Sequence, residues 1–149
     1  MATIRGFEFP DDLFYLLEQD AWVRRDAEEI ATVGLTSLGA HISGEFVEFM
    51  PKPIGSAIER GRSIGTLEMS KVIRSARTPV AGVIVAVNDA VRSEPGLINA
   101  DPYGAGWLAR IRPTAWNDDT RGLVTAEAIP AAVEQYMLLL AETFGEAPP

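Results

Sequence analysis

A chain of 149 residues has room for one compact domain, and its 47% apolar and 23% charged residues are typical of a globular fold. No apolar run approaches the roughly 18 residues of a membrane span, and a net charge of −8 disfavours binding to nucleic-acid phosphates. The lack of cysteine excludes disulfides and thiolate chemistry, and one histidine, His41, cannot build a multi-histidine metal site. We therefore expect a single domain over residues 1–149, without a metal centre, a membrane span or a nucleic-acid partner.

The N-terminal segment mixes apolar and acidic side chains. Residues 1–10 lack a basic start followed by a long apolar stretch, so the sequence predicts no secretory signal and a cytoplasmic address. Pro10-Asp11-Asp12 precedes an apolar cluster, a pattern that predicts the opening of a short helix. We expect residues 1–20 to pack against the main body of the domain.

The next segment has the pattern of strands. β-Branched residues over 21–36 predict an antiparallel hairpin, and residues 37–43 predict one or two helical turns. Residues 46–49 then form a predicted strand that Pro51 and Pro53 end, because proline cannot donate a ladder hydrogen bond.

The middle of the chain predicts further strands. Residues 63–77 predict a pair of strands whose connecting turn carries Lys71, and residues 80–87 are the clearest strand of the sequence. The residues around Gly44 and Gly82 follow the same apolar-small-Gly order, which is consistent with a faint internal repeat. Any two strands that begin after a glycine would look equally alike, so both interpretations stay open.

The C-terminal third predicts turns, one strand and one helix. Residues 89–106 are rich in Asn, Asp, Pro and Gly, which predicts ordered turns or a short helix, and residues 107–112 alternate as a last strand. Thr125 is the predicted N-cap of a helix that has Pro130 in its first turn. The apolar stripe of this helix consists of Val133, Tyr136, Met137, Leu140 and Phe144.

Few residues offer chemistry of their own. The acidic residues are scattered, no glycine-rich phosphate motif follows a strand, and His41 is interpreted as a helix residue bonded to backbone. No nucleophile with an activating base can be assembled, so we expect no intrinsic enzyme. Lys52 and Lys71 are the two lysines, and Lys71 at a hairpin tip is either a solvated turn residue or an attachment point for a carrier group.

Several motifs carry a family resemblance. Three runs carry it: Leu67-Glu-Met-Ser-Lys71, Thr78-Pro-Val-Ala-Gly82 and Asp101-Pro-Tyr-Gly-Ala-Gly-Trp107. Through them the chain resembles the glycine cleavage system H proteins over residues 14–140. The resemblance implies a mainly β fold, a flattened barrel-sandwich hybrid of two sheets with peripheral and C-terminal helices. It also implies that Lys71 is the lipoyl-lysine and that Glu68 is the recognition handle of the loading enzyme. Ser70 and Val72 flank the lysine, whereas biotinyl carriers resemble Met-Lys-Met there.

What the resemblance implies is a carrier without catalysis of its own. Lipoic acid would be attached covalently by a lipoate ligase or the lipoyl synthesis machinery. The arm would then carry a bound intermediate between partner enzymes, with dihydrolipoyl dehydrogenase as a further partner. This attachment raises the effective concentration of the cargo at each enzyme.

The sequence departs from the family pattern around this site. Asp20-Ala21 stands before Trp22 where the family usually has His-Glu, and Arg74 follows the acceptor lysine closely. Together with Arg62 and Arg77, Arg74 is expected to surround the arm with positive charge, which would suit an anionic cargo or an acidic partner. We also assign Arg74 to the cofactor site, with Glu68 and Ser70.

A second set of relatives fits these departures better. Lipoate-binding proteins of the heterodisulfide-reductase-like sulfur oxidation pathway look like H proteins and have an N-terminal segment similar to residues 5–15. This resemblance implies a lipoyl arm that carries sulfur to a heterodisulfide-reductase-like complex. The alternatives are a true H protein, which carries an aminomethyl group between glycine cleavage enzymes, and a non-lipoylated scaffold of the same fold.

Overall fold

The computed structural model describes residues 1–144, with side chains described to residue 142. The strands are β1 (Ala2–Ile4), β2 (Phe7–Phe9), β3 (Phe14–Leu16), β4 (Ala21–Arg25), β5 (Ala31–Leu35), β6 (Phe46–Pro51), β7 (Ala57–Ile58), β8 (Ser63–Met69), β9 (Ile73–Arg77), β10 (Gly82–Val87), β11 (Ala109–Pro113) and β12 (Val124–Thr125). The α-helices are α1 (Ser37–Ser43), α2 (Asp89–Ser93), α3 (Leu97–Ala100), α4 (Trp116–Arg121) and α5 (Ile129–Phe144). Within this range no helix is long and apolar enough to cross a membrane.

Two antiparallel sheets enclose the main core. A seven-stranded sheet has the order β12-β3-β4-β5-β11-β10-β7, and a three-stranded sheet has the order β6-β8-β9. Val33, Ile84 and Ile111 of the larger sheet share one buried cluster with Phe49 and Leu67 of the smaller sheet. Burial of these side chains between the layers is the main stabilising contribution, so the predicted mainly β fold with two facing sheets is observed. Strands β1 and β2 form a third, two-stranded sheet.

A second core lies on the other face of the larger sheet. Trp22 is fully buried there, and its indole N–H donates to the carbonyl oxygens of Leu35 at 2.9 Å and Pro102 at 3.1 Å. The β1–β2 hairpin and helix α5 cover this tryptophan, with Phe9 and Met137 in the same cluster. The N-terminal segment therefore packs against the body, as predicted.

The predicted helix at Pro10-Asp11-Asp12 is wrong. The backbone instead turns at Arg5 and Gly6, which have φ of 50° and 87°, and this turn pairs β1 with β2. Residues 11–13 form a turn and a bend that lead directly into β3, and the Tyr15 hydroxyl donates to the carbonyl oxygen of Pro10 at 2.7 Å across this turn. The segment after Pro10 therefore connects two strands and does not open a helix.

Most elements from residue 21 to residue 100 follow the prediction, but the segment 51–61, expected to be a loop, contains the short strand β7, which pairs with β10. The β4–β5 hairpin pairs Trp22 with Gly34, and helix α1 begins after Thr36, whose hydroxyl accepts the N–H of Gly39 at 3.0 Å. The turn-rich segment after β10 contains the two short helices α2 and α3. Gly44 ends α1 with φ of 88°, whereas Gly82 lies against the backbone of β11, so the two glycines of the proposed repeat serve different needs.

Three details of the C-terminal third differ from the prediction. The β body does not end at β11, because β12 pairs with β3, and helix α4 between them was not predicted. Thr125 occupies the N-cap position of a 3-10 turn over Ala126–Ala128 that leads into α5, but its hydroxyl makes no capping bond and donates instead to the carbonyl oxygen of Leu13 at 2.9 Å. Helix α5 itself begins at Ile129 with Pro130 in its first turn. Val133 and Met137 are buried as predicted, while the side chain of Phe144 lies outside the described residues.

Candidate functional site

Lys71 lies at the tip of the β8–β9 hairpin. The N–H of Met69 donates to the carbonyl oxygen of Val72 at 2.9 Å and closes a turn with Ser70 and Lys71 at its centre. Neither central residue has a positive φ. β8 is the middle strand of its sheet, and Leu67 and Met69 anchor it in the main core. The hairpin thus holds an exposed lysine at one end of a firmly packed strand, as predicted.

The surroundings of Lys71 are open and partly apolar. An open surface depression of about 490 Å³ is lined by Glu68, Met69, Ser70, Lys71, Val72 and Ile73. Val72 and Ile73 are 58% and 60% exposed. Among the described side chains, none forms an ion pair or hydrogen bond with the Lys71 amine. An accessible amine beside aliphatic side chains fits acylation by a group with an alkyl chain.

Glu68 lies on the outer face of the three-stranded sheet. In the strand register it is opposite Ile73 on one side and Glu48 on the other. Two carboxylates directly opposite each other repel, and no described cation forms an ion pair with either of them. The acidic handle predicted at Glu68 is therefore part of a cross-strand acidic pair.

The Arg74 side chain makes its polar contacts with other residues of the protein body. It is opposite the buried Leu67 in the register, and one guanidinium nitrogen contacts Asp20 at 3.2 Å and the Ser43 hydroxyl at 2.9 Å. The other terminal nitrogen donates to the carbonyl oxygen of Gln19 at 3.3 Å. Its charge is used inside the molecule, so the expectation that Arg74 offers it to the cofactor is corrected.

Asp20 is a buried carboxylate with two partners. Its side chain accepts the Tyr136 hydroxyl at 2.7 Å and the Arg74 guanidinium. Burial raises the pKa of Asp20, and the hydrogen bond from Tyr136 and the charge of Arg74 offset that rise only in part. The pKa of Tyr136 is also raised, by burial and by the neighbouring Asp20 charge.

The predicted ring of arginines around the arm is wrong. Ser63 pairs with Arg77, so Arg77 and Arg62 lie at the opposite end of the hairpin from Lys71. At about 3.3 Å per strand residue, Arg77 is roughly 20 Å along the strand from the turn at Ser70 and Lys71. Arg77 donates to the carbonyl oxygen of Gly61 at 2.9 Å, and Arg62 faces Glu59 at 4.0 Å.

Sequence reasoning missed the partners of Arg74. Asp20 stood out as a departure before Trp22, but nothing in the sequence indicated that its carboxylate meets a residue 54 positions later. Tyr136 was interpreted as part of the apolar stripe of α5, and its hydroxyl group was the signal of a polar role. His41 lies in α1 as predicted, but among the described residues its ring has no backbone partner: it is exposed and packs edge-on against Phe7 at 5.2 Å.

The Asp101–Trp107 motif has a structural role. The Tyr103 hydroxyl donates to the carbonyl oxygen of Glu8 at 2.6 Å, and the Pro102 carbonyl oxygen accepts from the Trp22 indole. Gly104 and Gly106 lie so close to neighbouring atoms that an added Cβ would come within 2.5 Å of them. The motif therefore joins the second core to the turn before β11.

Comparisons with known proteins identify the family. A family model described as "Glycine cleavage H-protein" matches residues 13–136. The chain is 35% identical to glycine cleavage system H protein 5 of Aquifex aeolicus over 136 residues, 89% of this chain and 90% of that protein. It is 36% identical to the H protein of Nostoc punctiforme over 131 residues, 87% of this chain and 98% of that protein.

A solved structure gives the same answer. The crystal structure of a glycine cleavage system H protein from Mycobacterium marinum superimposes with a TM-score of 0.71 at 30% identity, and the match covers 92% of this chain and 99% of that one. This match confirms the predicted barrel-sandwich fold of the lipoyl-carrier type. The chain belongs to the glycine cleavage H-protein family, whose members are lipoyl carriers rather than enzymes.

Proposed function

We propose that Lys71 is the residue to which the lipoyl group of this carrier is attached. The observation that carries the proposal is the position of Lys71, exposed at the tip of the β8–β9 hairpin with no ion-pair partner among the described side chains. Lys52, the other lysine, is exposed too, but it follows β6 and its backbone N–H is bonded to Ile64 at 2.8 Å. A tip position lets a loading enzyme surround the amine.

The chemistry of attachment needs little from the chain itself. An amide forms between the carboxyl group of lipoic acid and Nζ of Lys71, water is lost, and one positive charge disappears. The bound group supplies a dithiolane that can be reduced and re-oxidised. The chain holds the arm away from its body, because β8 is packed through Leu67 and Met69 while the turn is solvated.

A loading enzyme can recognise the turn through its side chains. Glu68 lies three residues before Lys71 on the outer sheet face, and Ser70 is exposed at the turn itself. We propose that a lipoate ligase or the lipoyl synthesis machinery reads Glu68, and that Ser70 and Val72 favour lipoylation over biotinylation.

The matched substitutions Lys71→Arg and Lys52→Arg test the attachment site. Both keep the positive charge, and an arginine cannot be acylated under these conditions because its guanidinium stays protonated. Each chain is incubated with purified lipoate ligase, lipoic acid and ATP. Intact-mass measurement should then show one lipoyl group on the parent chain and none on Lys71→Arg. Equal loading of both variants, or loading lost only from Lys52→Arg, would move the site elsewhere. If the biological activity that depends on this chain survives Lys71→Arg, that result would instead support a scaffold that works without lipoylation.

For the cargo we propose sulfur, delivered in the cytoplasm to a heterodisulfide-reductase-like complex, with dihydrolipoyl dehydrogenase re-oxidising the arm. Support comes from the N-terminal segment over residues 5–15, which resembles that of the sulfur-oxidation carriers. Residues 5–9 of this segment lie in the β1–β2 hairpin, before the 13–136 family match. That hairpin is fastened to α5, where Arg5 pairs with Glu134 at 3.2 Å. The names of the relatives favour the rival cargo, an aminomethyl group passed between glycine cleavage enzymes.

Two assays separate the cargoes. Loaded chain is mixed with glycine decarboxylase, and glycine–bicarbonate exchange is compared with that of a known H protein. Exchange at a comparable rate would establish glycine cleavage and remove the sulfur proposal. Absent exchange, together with sulfur oxidation by a heterodisulfide-reductase-like complex that requires loaded chain and fails with Lys71→Arg, is the result that the sulfur proposal predicts.

A further inference from the structure

Arg74 connects an edge strand to the body of the protein. β9 lies at the edge of the three-stranded sheet, so one side of it has no neighbouring strand among the described residues. From this strand the Arg74 guanidinium reaches Asp20, the hydroxyl of Ser43 at the end of α1 and the carbonyl oxygen of Gln19. A planar guanidinium with several fixed donors suits such a multiple contact better than an ammonium group does.

Asp20, which accepts the contact from Arg74, is held rigidly in the protein body. Asp20 is 6% exposed and has a φ of 57°, and its backbone is bonded to Leu17 on one side and to Thr36 on the other. Its carboxylate is also held by the Tyr136 hydroxyl from α5. Gly39 packs directly on the Asp20 side chain, where an added Cβ would clash with it. The carboxylate is therefore a fixed point in the body.

The described part of the chain has no second polar contact of this kind near the acceptor turn. Within the described residues, the side chains from 68 to 73 form no hydrogen bond or ion pair with the rest of the protein. At the far end of the same strand, Arg77 donates to the carbonyl oxygen of Gly61 at 2.9 Å. The two ends of β9 are thus each fastened by one arginine, and Arg74 fastens the end next to Lys71.

We propose that Arg74 is a positioning residue, which through Asp20 holds the tip of the β8–β9 hairpin in one orientation so that partner enzymes meet Lys71 ready to react. The proposal rests on Lys71 being the acceptor. Without the contact the tip samples several orientations, and the apparent affinity of an enzyme falls by the fraction that is competent to dock. The loss then appears in KM for the carrier, while kcat at saturating carrier is retained.

The experiment compares Arg74→Gln with Arg77→Gln, which removes a guanidinium from the same strand away from the acceptor turn. Loading of Lys71 by purified lipoate ligase is followed by intact mass over a range of carrier concentrations, well below the melting temperature of each variant. For Arg74→Gln we expect KM about five- to tenfold above that of Arg77→Gln, with kcat within about twofold. Arg74→Lys should recover part of the loss, and Asp20→Asn should reproduce it without adding to it in the double variant.

A KM for Arg74→Gln within about twofold of the Arg77→Gln value would overturn the proposal, whatever happens to its melting temperature. Hydrogen exchange provides a readout that does not depend on lipoylation. The amide of Met69, which closes the acceptor turn, should exchange faster in Arg74→Gln than in Arg77→Gln, and equal exchange would count against the contact as a positioning device. Faster exchange in a chain that loads elsewhere than Lys71 would refute the attachment site alone.

Discussion

Gly34 and Trp22 lie directly opposite each other on β5 and β4, and the indole ring fills the space that a side chain at Gly34 would need. A Cβ at Gly34 would lie 2.6 Å from Cζ2 of Trp22. We therefore expect Gly34→Ala to lower the free energy of unfolding by about 1–3 kcal/mol, measured by urea denaturation. Gly96→Ala is the control, because nothing lies within 4 Å of its added Cβ. Equal effects of both would refute the packing argument.

Asn88 holds the turn before β11 in place. It is 4% exposed, and its amide donates to the carbonyl oxygens of Ala105 at 2.8 Å and Trp107 at 2.7 Å, while its oxygen caps α2. Because Asn88→Ala leaves two carbonyl groups with fewer partners, we expect a loss of about 2–3 kcal/mol in thermal or urea unfolding. Asn117→Ala on exposed α4 should change stability by less than about 0.5 kcal/mol. A small effect at both positions would contradict this assignment.

Asp20 makes stability depend on pH with a defined sign. Burial raises its pKa in the folded state above the ordinary value of 3.8, so the folded chain binds more protons than the unfolded chain in the window above that value. The contribution of Asp20 is thus present at low pH and is lost as pH rises through the folded pKa. We expect the unfolding free energy of the parent chain, measured relative to Asp20→Asn, to increase as the pH falls from neutrality towards 3.8. A difference that shrinks as the pH falls would contradict this sign.

Substitutions at Glu48 and Glu68 distinguish an effect on stability from an effect on recognition by the lipoate ligase. They are opposite each other in the β6–β8 register, so neutralising either one relieves the same repulsion. Glu48→Gln and Glu68→Gln should each raise stability by about 0.2–1 kcal/mol in urea unfolding. Lipoate ligase should load Glu68→Gln on the order of tenfold less efficiently, with Glu48→Gln close to the parent chain. The same loading rate for both variants would remove Glu68 as the handle.

Local patterns in the sequence predicted much of the fold. The hairpin over 21–36, the helix over 37–43 and the strand over 80–87 each arise from residues close together in the chain, and each is observed. The position of Lys71 at a hairpin tip was predicted for the same reason, since the strands on both sides of it carry their own pattern.

The rest could not be predicted because it depends on residues far apart in the chain. Arg74 and Asp20 meet across 54 positions, and no periodicity relates a strand residue to a residue in a tight turn. The ring of arginines failed because charges near one another in sequence were assumed to be near in space, whereas the β8–β9 register separates Arg62 and Arg77 from Lys71. The Arg5–Gly6 turn requires a positive φ at a non-glycine residue, which composition does not reveal.

The turn at Ser70 and Lys71 does not require a particular residue type. Ser70 and Lys71 sit at its centre without a positive φ, and one backbone hydrogen bond between Met69 and Val72 closes it. The side chains next to the lysine can therefore change without backbone strain, and the choice of modifying enzyme can diverge while the scaffold stays the same. In this chain, the exposed residues next to Lys71 and the buried residues that anchor β8 in the core are different residues.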